Sequence, residues 1–355
     1  MYIFDVRTLC LIGAVLVLLG SAETIIYVLR RRPESGIDAA ILETFRLRVH
    51  AWWILFAILA AAFLLGHWTT VVFFGLISFW ALREFITLTP TRPGDHRTLF
   101  WVFFLCTPLQ FLLVGLGLYS WYSIAIPVYA FLFIPARIAL AGDCKRFLER
   151  TAKIQTGLLI CVYCLSYAPA LMSLPKAQPA PSEASVSAGK PAAASAALAH
   201  ADPQAPKGEA TAERPPDFTA GTRLLFFFIL MVQLSDALQY AWSQVPSKHV
   251  IVPSINAART WEGLLGGVTS VTLIGALLWW ATPFQGADWW MAAAMSAVIA
   301  LMGFAGGITM SAIKRDRGVK DFGTLVEGHG GVLDRMDSIC FAAPVFFHFT
   351  RWWLG

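Results

Sequence analysis

Long apolar runs, separated by short polar segments, follow one another along almost the whole chain. Many of them approach the roughly 20 residues that a helix needs to cross about 30 Å of hydrocarbon. The runs are continuous and do not alternate with polar positions, which favours helices over a transmembrane barrel. The pattern predicts an all-α polytopic membrane protein with about ten transmembrane helices. The expected spans lie near residues 8–29, 50–66, 68–88, 98–117, 120–140, 153–173, 222–243, 263–283, 287–312 and 337–353.

Composition agrees with this class, since 57% of the residues are hydrophobic and only 14% are charged. A soluble domain is typically about 45–50% apolar and about 25% charged. The first run is closed by three arginines at positions 30–32, a stop-transfer pattern, so we expect it to be a retained anchor. The formal net charge of +5 does not indicate nucleic-acid binding, because the basic residues are spread over loops beside the membrane.

The basic loops orient the predicted helices. Arginine and lysine follow the first, third and fifth spans, and by the positive-inside rule these loops face the cytoplasm. Carrying the alternation forward places residues 244–262 and 314–337 on the same side. We therefore expect the polar segment before the last span to meet the cytoplasm.

Residues 174–221 have a different composition, being rich in alanine, proline, serine and glycine. Such a segment buries too little apolar surface to offset the entropy of ordering, so it is predicted to be a disordered linker on the outer face; an interaction tail is the alternative. It divides the chain into an amino-terminal transmembrane half, 1–173, with about six helices, and a carboxy-terminal half, 222–355. The close pair Cys161 and Cys164 lies in an apolar run and is read as small buried helix residues, not as a zinc site.

The segment from Lys314 to Asp337, KRDRGVKDFGTLVEGHGGVLDRMD, concentrates charge between two apolar runs. Basic side chains neutralise phosphate oxygens and carboxylates bind divalent cations, so this mixture is typical of polyphosphate chemistry. Glycines around His329 would let backbone N–H groups approach an anion. A loop that only fixes topology would explain the basic residues, but not Gly-His-Gly-Gly followed by two aspartates. The candidate catalytic residues are Lys314, Arg315, Lys320, Asp321, His329, Asp334, Arg335 and Asp337.

Asp236 lies inside a predicted span, near Gln233. A charged side chain costs about 2.5–3.5 kcal/mol at the bilayer centre, so Asp236 is expected to face the bundle interior, a wet cavity or a partner. A hydrated position near the cytoplasmic helix end is the alternative. Lys248 and Arg259, in the following loop, are either phosphate partners or inside-positive charges.

Ser311 and the residues of the Lys314–Asp337 segment resemble, at matching spacing, the signature of phosphatidate cytidylyltransferases, also called CDP-diacylglycerol synthases. The resemblance extends upstream through Ser235-Asp236, Thr260-Trp261-Glu262-Gly263 and Gly266-Gly267, and so covers most of residues 222–355. The amino-terminal half is similar only loosely, through span number and Leu82-Arg83-Glu84-Phe85. The signature positions are Ser311, Lys314, Arg315, Lys320, Asp321, Gly323, Gly328, His329, Gly330, Gly331, Asp334, Arg335 and Asp337.

The resemblance implies that the phosphate of phosphatidic acid attacks the α-phosphorus of CTP, giving CDP-diacylglycerol and pyrophosphate, with Mg²⁺ required. No covalent protein nucleophile is needed, and the protein supplies alignment and charge neutralisation. Asp321, Asp334 and Asp337 offer oxygen ligands for the ion, and Asp334 and Asp321 are the predicted metal ligands. The family also suggests a bacterial inner membrane, with the site facing the cytoplasm, and is compatible with a homodimer. The implied substrate-binding residues are Asp236, Arg259, Thr260, Glu262, Ser311, Gly328, Gly330 and Gly331.

The chain departs from the family pattern at several positions. Gly306-Gly307 stands where the family has Gly-Asp, whose aspartate helps to hold the metal. Arg259 replaces a lysine, and Glu327 replaces a proline. Asn256-Ala257 replaces Ser-Pro, and Ser243-Gln244 replaces Gly-Lys or Gly-Arg.

Loss of a metal carboxylate at position 307 predicts weaker Mg²⁺ binding and a higher reaction barrier. Three accounts are compatible with it: another carboxylate (Asp236, Asp321 or Glu327) substitutes, the substrate is a different lipid phosphate or nucleotide, or the protein is a silent relative that binds without catalysis. A transporter with Asp236 on an ion path is a further alternative. It is disfavoured because inverted repeats are not visible and the polar density lies at the membrane edge.

Overall fold

The chain forms a helical bundle in the computed structural model, which describes residues 6–31, 66–88, 91–174, 218–245, 249–282, 284, 289–323 and 330–354, with single positions between 43 and 60. Apolar runs form the helices, as the sequence predicts. The amino-terminal helices are α1 Val6–Arg31, α2 His67–Thr87, α3 Pro93–Gly115, α4 Tyr119–Ala139 and α5 Phe147–Ser173. The carboxy-terminal helices are α6 Phe218–Trp242, α7 Trp261–Leu277, α8 Trp289–Asp316 and α9 Leu333–Leu354.

Within the described ranges, 7 helices are long and apolar enough to cross a membrane: α1 to α6 and α8. This confirms a polytopic membrane protein. Helices α7 and α9 coincide with two further predicted spans, but α7 has only 17 residues and α9 begins with charged side chains. The span near 50–66 and the linker 174–221 lie mostly outside the described residues, so the count of about ten spans stays a prediction.

A short antiparallel hairpin joins α6 to α7 and is a difference from the all-helical expectation. Strand β1 is Val250–Val252 and strand β2 is Asn256–Thr260. Thr260 ends β2 and caps α7, because its hydroxyl oxygen accepts a hydrogen bond from the Gly263 N–H at 3.1 Å. The hairpin thereby fixes where the preceding residue, Arg259, enters the bundle.

Helix α9 connects the two predicted halves. It packs against α8 and α6 and also against α5 and α2 of the amino-terminal half. Phe346 stacks on Phe228 of α6 with ring centroids 5.3 Å apart, and Phe347 meets Tyr167 of α5 at 5.1 Å. Helix association inside a bilayer depends on such close packing, since lipid tails are as apolar as the side chains. The start of α9 is consequently held in place by both halves.

The polar segment begins where α8 ends. Gly318 has φ of 70°, its N–H bonds to the Arg315 carbonyl at 3.0 Å, and the Val319 N–H bonds to the Lys314 carbonyl at 3.0 Å. This is a Schellman cap, in which glycine adopts the left-handed conformation at no steric cost. The chain therefore turns sharply after Lys314 and Arg315, which lie in the last turns of α8.

Candidate functional site

The end of α8 and the start of α9 are joined by an ion pair. Lys314 Nζ lies 2.8 Å from Asp334 Oδ1, and the two side chains are only 16% and 10% exposed. The other oxygen, Asp334 Oδ2, accepts hydrogen bonds from the N–H groups of Phe322 and Gly331, each at 2.9 Å. One carboxylate thus positions the Lys314 side chain and the backbone at both Phe322 and Gly331.

Two of the signature glycines make room for carboxylates. Gly330 has φ of +78°, and a Cβ on it would lie 2.8 Å from Asp334 Oδ2. A Cβ on Gly331 would collide with the carboxylate of Glu84. The sequence predicted that these glycines free backbone N–H groups for an anion; here the Gly331 N–H is donated to Asp334.

Glu84 of α2 is a functional candidate that the sequence interpretation quoted within Leu82-Arg83-Glu84-Phe85 but to which it gave no role. It is 5% exposed, and its oxygens accept hydrogen bonds from the N–H groups of Val332 at 3.0 Å and Leu333 at 2.8 Å. The first N–H groups of a helix have no acceptor within the helix, and the helix dipole favours a negative charge at this end. The available signal was a charged residue in an apolar run, the same signal that singled out Asp236.

Asp337 lies one helical turn after Asp334, so the two side chains share a face of α9. Asp236 of α6, Arg259 of β2 and Lys314 of α8 all lie within electrostatic range of its carboxylate. We call Asp236, Arg259, Lys314, Asp334 and Asp337 the polar cluster. It brings together five of the residues that the sequence singled out, from four separate elements.

Arg259 occupies the space beside Gly307. Its Nη1 donates to Gln239 Oε1 at 2.8 Å, and its guanidinium lies 5.5 Å from the centroid of the Phe304 ring. A Cβ on Gly307 would collide with Arg259 Nη2. Two departures from the family pattern, glycine at 307 and arginine at 259, therefore fit each other in space.

Other predicted site residues hold the hairpin in place. The Ser311 hydroxyl donates to the Gly307 carbonyl at 2.7 Å and accepts from Asn256 Nδ2 at 3.2 Å. Arg315 Nε donates to the Ile255 carbonyl at 3.2 Å. Glu262 pairs with the His249 ring at 2.6 Å, and chiefly this hydrogen bond lowers the pKa of the Glu262 carboxyl.

Among the remaining predicted residues that the structure describes, Lys320, Asp321 and Arg335 are not members of the polar cluster. Lys320 and Asp321 are exposed, and Arg335 is half-buried in the first turn of α9. Gly328, His329 and Glu327 lie outside the described residues, so the predictions for them stay predictions.

Asp236 and Asp337 of the polar cluster are candidate magnesium ligands beside the predicted pair Asp334 and Asp321. No group of three histidine, cysteine or carboxylate side chains suited to a metal is present in the described part of the chain. Mg²⁺, however, is commonly held by one or two carboxylates, water and substrate phosphates. Asp334 already receives three hydrogen bonds and Asp321 is exposed, whereas the hydrogen bonds described for Asp337 come from Ser338 alone and reach only its Oδ1.

Comparison with known families matches residues 46–353 to the cytidylyltransferase family. The uncharacterized protein YnbB of Escherichia coli strain K12 is 32% identical over 310 residues, which cover 86% of this chain and 87% of that protein. A phosphatidate cytidylyltransferase of Staphylococcus epidermidis is 33% identical over 125 residues, 35% of this chain and 48% of that protein. One from Staphylococcus aureus is 31% identical over the same shares. The similarity to named enzymes is therefore partial, whereas the family match spans most of the chain.

Proposed function

The chain belongs to the cytidylyltransferase family, and from this membership and the polar cluster we propose that it transfers the cytidylyl group of CTP to phosphatidic acid. In this reaction a phosphate oxygen of the lipid forms a bond to the α-phosphorus of CTP. The bond from that phosphorus to the bridging oxygen breaks, and pyrophosphate leaves with the electron pair. The product is CDP-diacylglycerol.

The observation that carries the proposal is the part-buried ion pair of Lys314 and Asp334 beside Asp337 and Arg259. A loop that only fixed topology would leave its lysines in water, because burying two charges costs several kcal/mol per ion before pairing. The chain instead holds cations and carboxylates together between α6, α8 and α9. Such an arrangement suits a polyphosphate with a bound divalent ion.

Each group has a role in this proposal. Lys314 and Arg259 bind phosphate oxygens and neutralise the charge that moves onto the leaving pyrophosphate. Asp337 and Asp236 would hold Mg²⁺, which would supply positive charge to stabilise the phosphate oxygens. Asp334 positions Lys314. The predicted metal pair Asp334 and Asp321 remains the alternative assignment.

A second candidate function is a silent membrane partner that binds lipid phosphate or nucleotide. Its support is Gly307, which lacks the carboxylate of the family pattern, and the similarity to an uncharacterized relative over most of the chain. We favour the enzyme because the polar cluster keeps paired carboxylates and two cations.

The test is transfer of label from [α-³²P]CTP to lipid. Purified protein in detergent would be incubated with phosphatidic acid and MgCl₂, and chloroform-extractable label would be measured. The same preparation of an Asp337→Asn variant controls for a co-purified host enzyme. Labelled CDP-diacylglycerol formed only by the unmodified protein is the expected result.

Two arms separate the candidate functions. Lipids with other acyl chains and phosphate head groups, and other nucleotides, test for a different substrate. A protein that binds CTP in equilibrium dialysis but labels none of these lipids is a silent binder, and the enzymatic proposal would then be abandoned.

Gly307→Ala is expected to lower kcat/KM for CTP about tenfold to a hundredfold. The added methyl group takes the place of the Arg259 guanidinium and moves it away from Gln239, and small misplacements at a site cost up to about 10² in rate. The matched control is Gly303→Ala, one turn earlier on α8, where the new Cβ would lie 3.3 Å from Ser338 Cβ. Unchanged activity of Gly307→Ala would show that Arg259 does not depend on Gly307.

A further inference from the structure

Resting on the proposed function, we propose that Glu84, in the amino-terminal half, is a positioning residue for the site. It holds the start of α9 and, through it, the ion pair that places Lys314. The amino-terminal half then contributes to the site through a specific carboxylate and not only by packing.

The contacts of Glu84 are those of an anion bound at a helix start. Both carboxylate oxygens are used, one by Val332 N–H at 3.0 Å and one by Leu333 N–H at 2.8 Å. Glu84 and the residues it binds are separated by about 248 positions in sequence. A buried carboxylate without such donors would carry a large desolvation cost. The Glu84 carboxylate and the N–H groups at the start of α9 therefore stabilise each other.

The surrounding sequence is fitted to this carboxylate. A Cβ on Gly323 would lie 2.8 Å from Glu84 Oε1, and a Cβ on Gly331 would collide with both oxygens. Gly323 and Gly331, two glycines of the polar segment, therefore face the same side chain. Glycine at both positions is what allows Glu84 to reach the backbone.

A second contact links α2 to Lys314. Phe85, the next residue, stacks on Phe322 with ring centroids 6.3 Å apart and an interplanar angle of 21°. Phe322 is 3% exposed, donates its N–H to Asp334, and lies under the Lys314 ammonium at 5.4 Å. Helix α2 thus holds the polar segment at two points, and both contacts lead to the Lys314–Asp334 pair.

Glu84→Gln is expected to lower kcat/KM for CTP about tenfold to a hundredfold, mainly through kcat. The amide keeps one acceptor oxygen but sets its NH₂ group against a backbone N–H, so the start of α9 moves away. The unfolding midpoint in detergent should change by only a few degrees. Amide hydrogen exchange at Val332 and Leu333 should accelerate, which does not depend on turnover.

A double-mutant cycle tests the contact itself. Gly331→Ala alone should reduce activity, because its methyl group displaces the Glu84 carboxylate. In a Glu84→Ala background that space is vacant, so Gly331→Ala should add little further loss. The control pair combines Glu84→Ala with Gly307→Ala, whose methyl meets Arg259 instead, and there the fold-losses should multiply.

The outcomes separate this inference from the proposed function. Glu149→Gln, which alters an exposed glutamate paired with Lys153, should behave as the unmodified protein. If the unmodified protein transfers label while Glu84→Gln matches it in kcat/KM and amide exchange, Glu84 is not a positioning residue. If the unmodified protein is inactive on every substrate, the proposed function fails, and amide exchange and unfolding still test the contact.

Discussion

Lys314→Ala is expected to lower kcat/KM for CTP on the order of 10²- to 10³-fold. Removing one preorganised cation or donor from developing phosphate charge costs losses of this size, about 2.7–4 kcal/mol. Lys314 is held by Asp334 at 2.8 Å, so in the proposed reaction it would meet the transition state without reorganising. The variant also leaves the Asp334 carboxylate without its cation, which adds to the loss. Initial rates of labelled lipid formation at varied CTP concentration measure the effect.

Lys153→Ala is a control matched in the exposure of the lysine and in the pairing distance, with a more exposed partner carboxylate, since Glu149 is 41% and Asp334 10% exposed. Lys153 is 15% exposed and pairs with Glu149 at 2.6 Å, compared with 16% and 2.8 Å for Lys314 and Asp334. It lies on α5, outside the polar cluster, and should lose less than about threefold. Comparable losses in both variants would indicate that general destabilisation, not phosphate binding, explains the Lys314 effect.

The order of the helices could be predicted because membrane insertion leaves a strong signal in sequence. Continuous apolar runs predicted α1 to α6 and α8, and the bilayer thickness set their length. Spacing also placed Asp334 and Asp337 on one face, since positions three apart in a helix are neighbours. Local periodicity was sufficient for both predictions.

Contacts between distant segments could not be predicted in this way. Nothing in the local pattern around Glu84 indicates that it binds the backbone of Leu333, and nothing around Gly307 indicates that Arg259 lies beside it. Such pairings depend on how α2, β2 and α8 pack in three dimensions. The glycines were interpreted as anion-binding elements because their neighbours were unknown, while the structure places carboxylates against two of them.

The two departures at 259 and 307 have a common physical consequence. Arg259 keeps the positive charge of the lysine in the family pattern and its guanidinium lies beside Gly307, where the aspartate charge is lost. The local charge therefore changes by one unit toward positive, which opposes a second cation and favours a phosphate oxygen. Magnesium binding in this chain would then depend more strongly on the carboxylates that remain. Asp337 is central among these, because Asp236, Arg259 and Lys314 all act on it.

Asp337→Asn is accordingly expected to have the largest effect, lowering kcat/KM for CTP about 10³-fold or more. The amide removes the negative charge that would bind Mg²⁺ in the proposed site while keeping the shape of the side chain. Excess MgCl₂ should recover part of the activity if the metal is bound more weakly and not excluded. Binding of Mn²⁺ to the protein with CTP, followed by electron paramagnetic resonance, reports the loss independently of turnover.

Asp321→Asn distinguishes the two metal assignments. Asp321 is exposed and outside the polar cluster, so its amide variant should retain activity within about threefold and bind Mn²⁺ normally. Both variants change one aspartate to its neutral isostere, so they differ only in where the charge is lost. If Asp321→Asn abolishes Mn²⁺ binding while Asp337→Asn leaves it intact, the ion is held at the edge of the polar segment, and the role of the Asp236 and Asp337 pair in catalysis would have to be withdrawn.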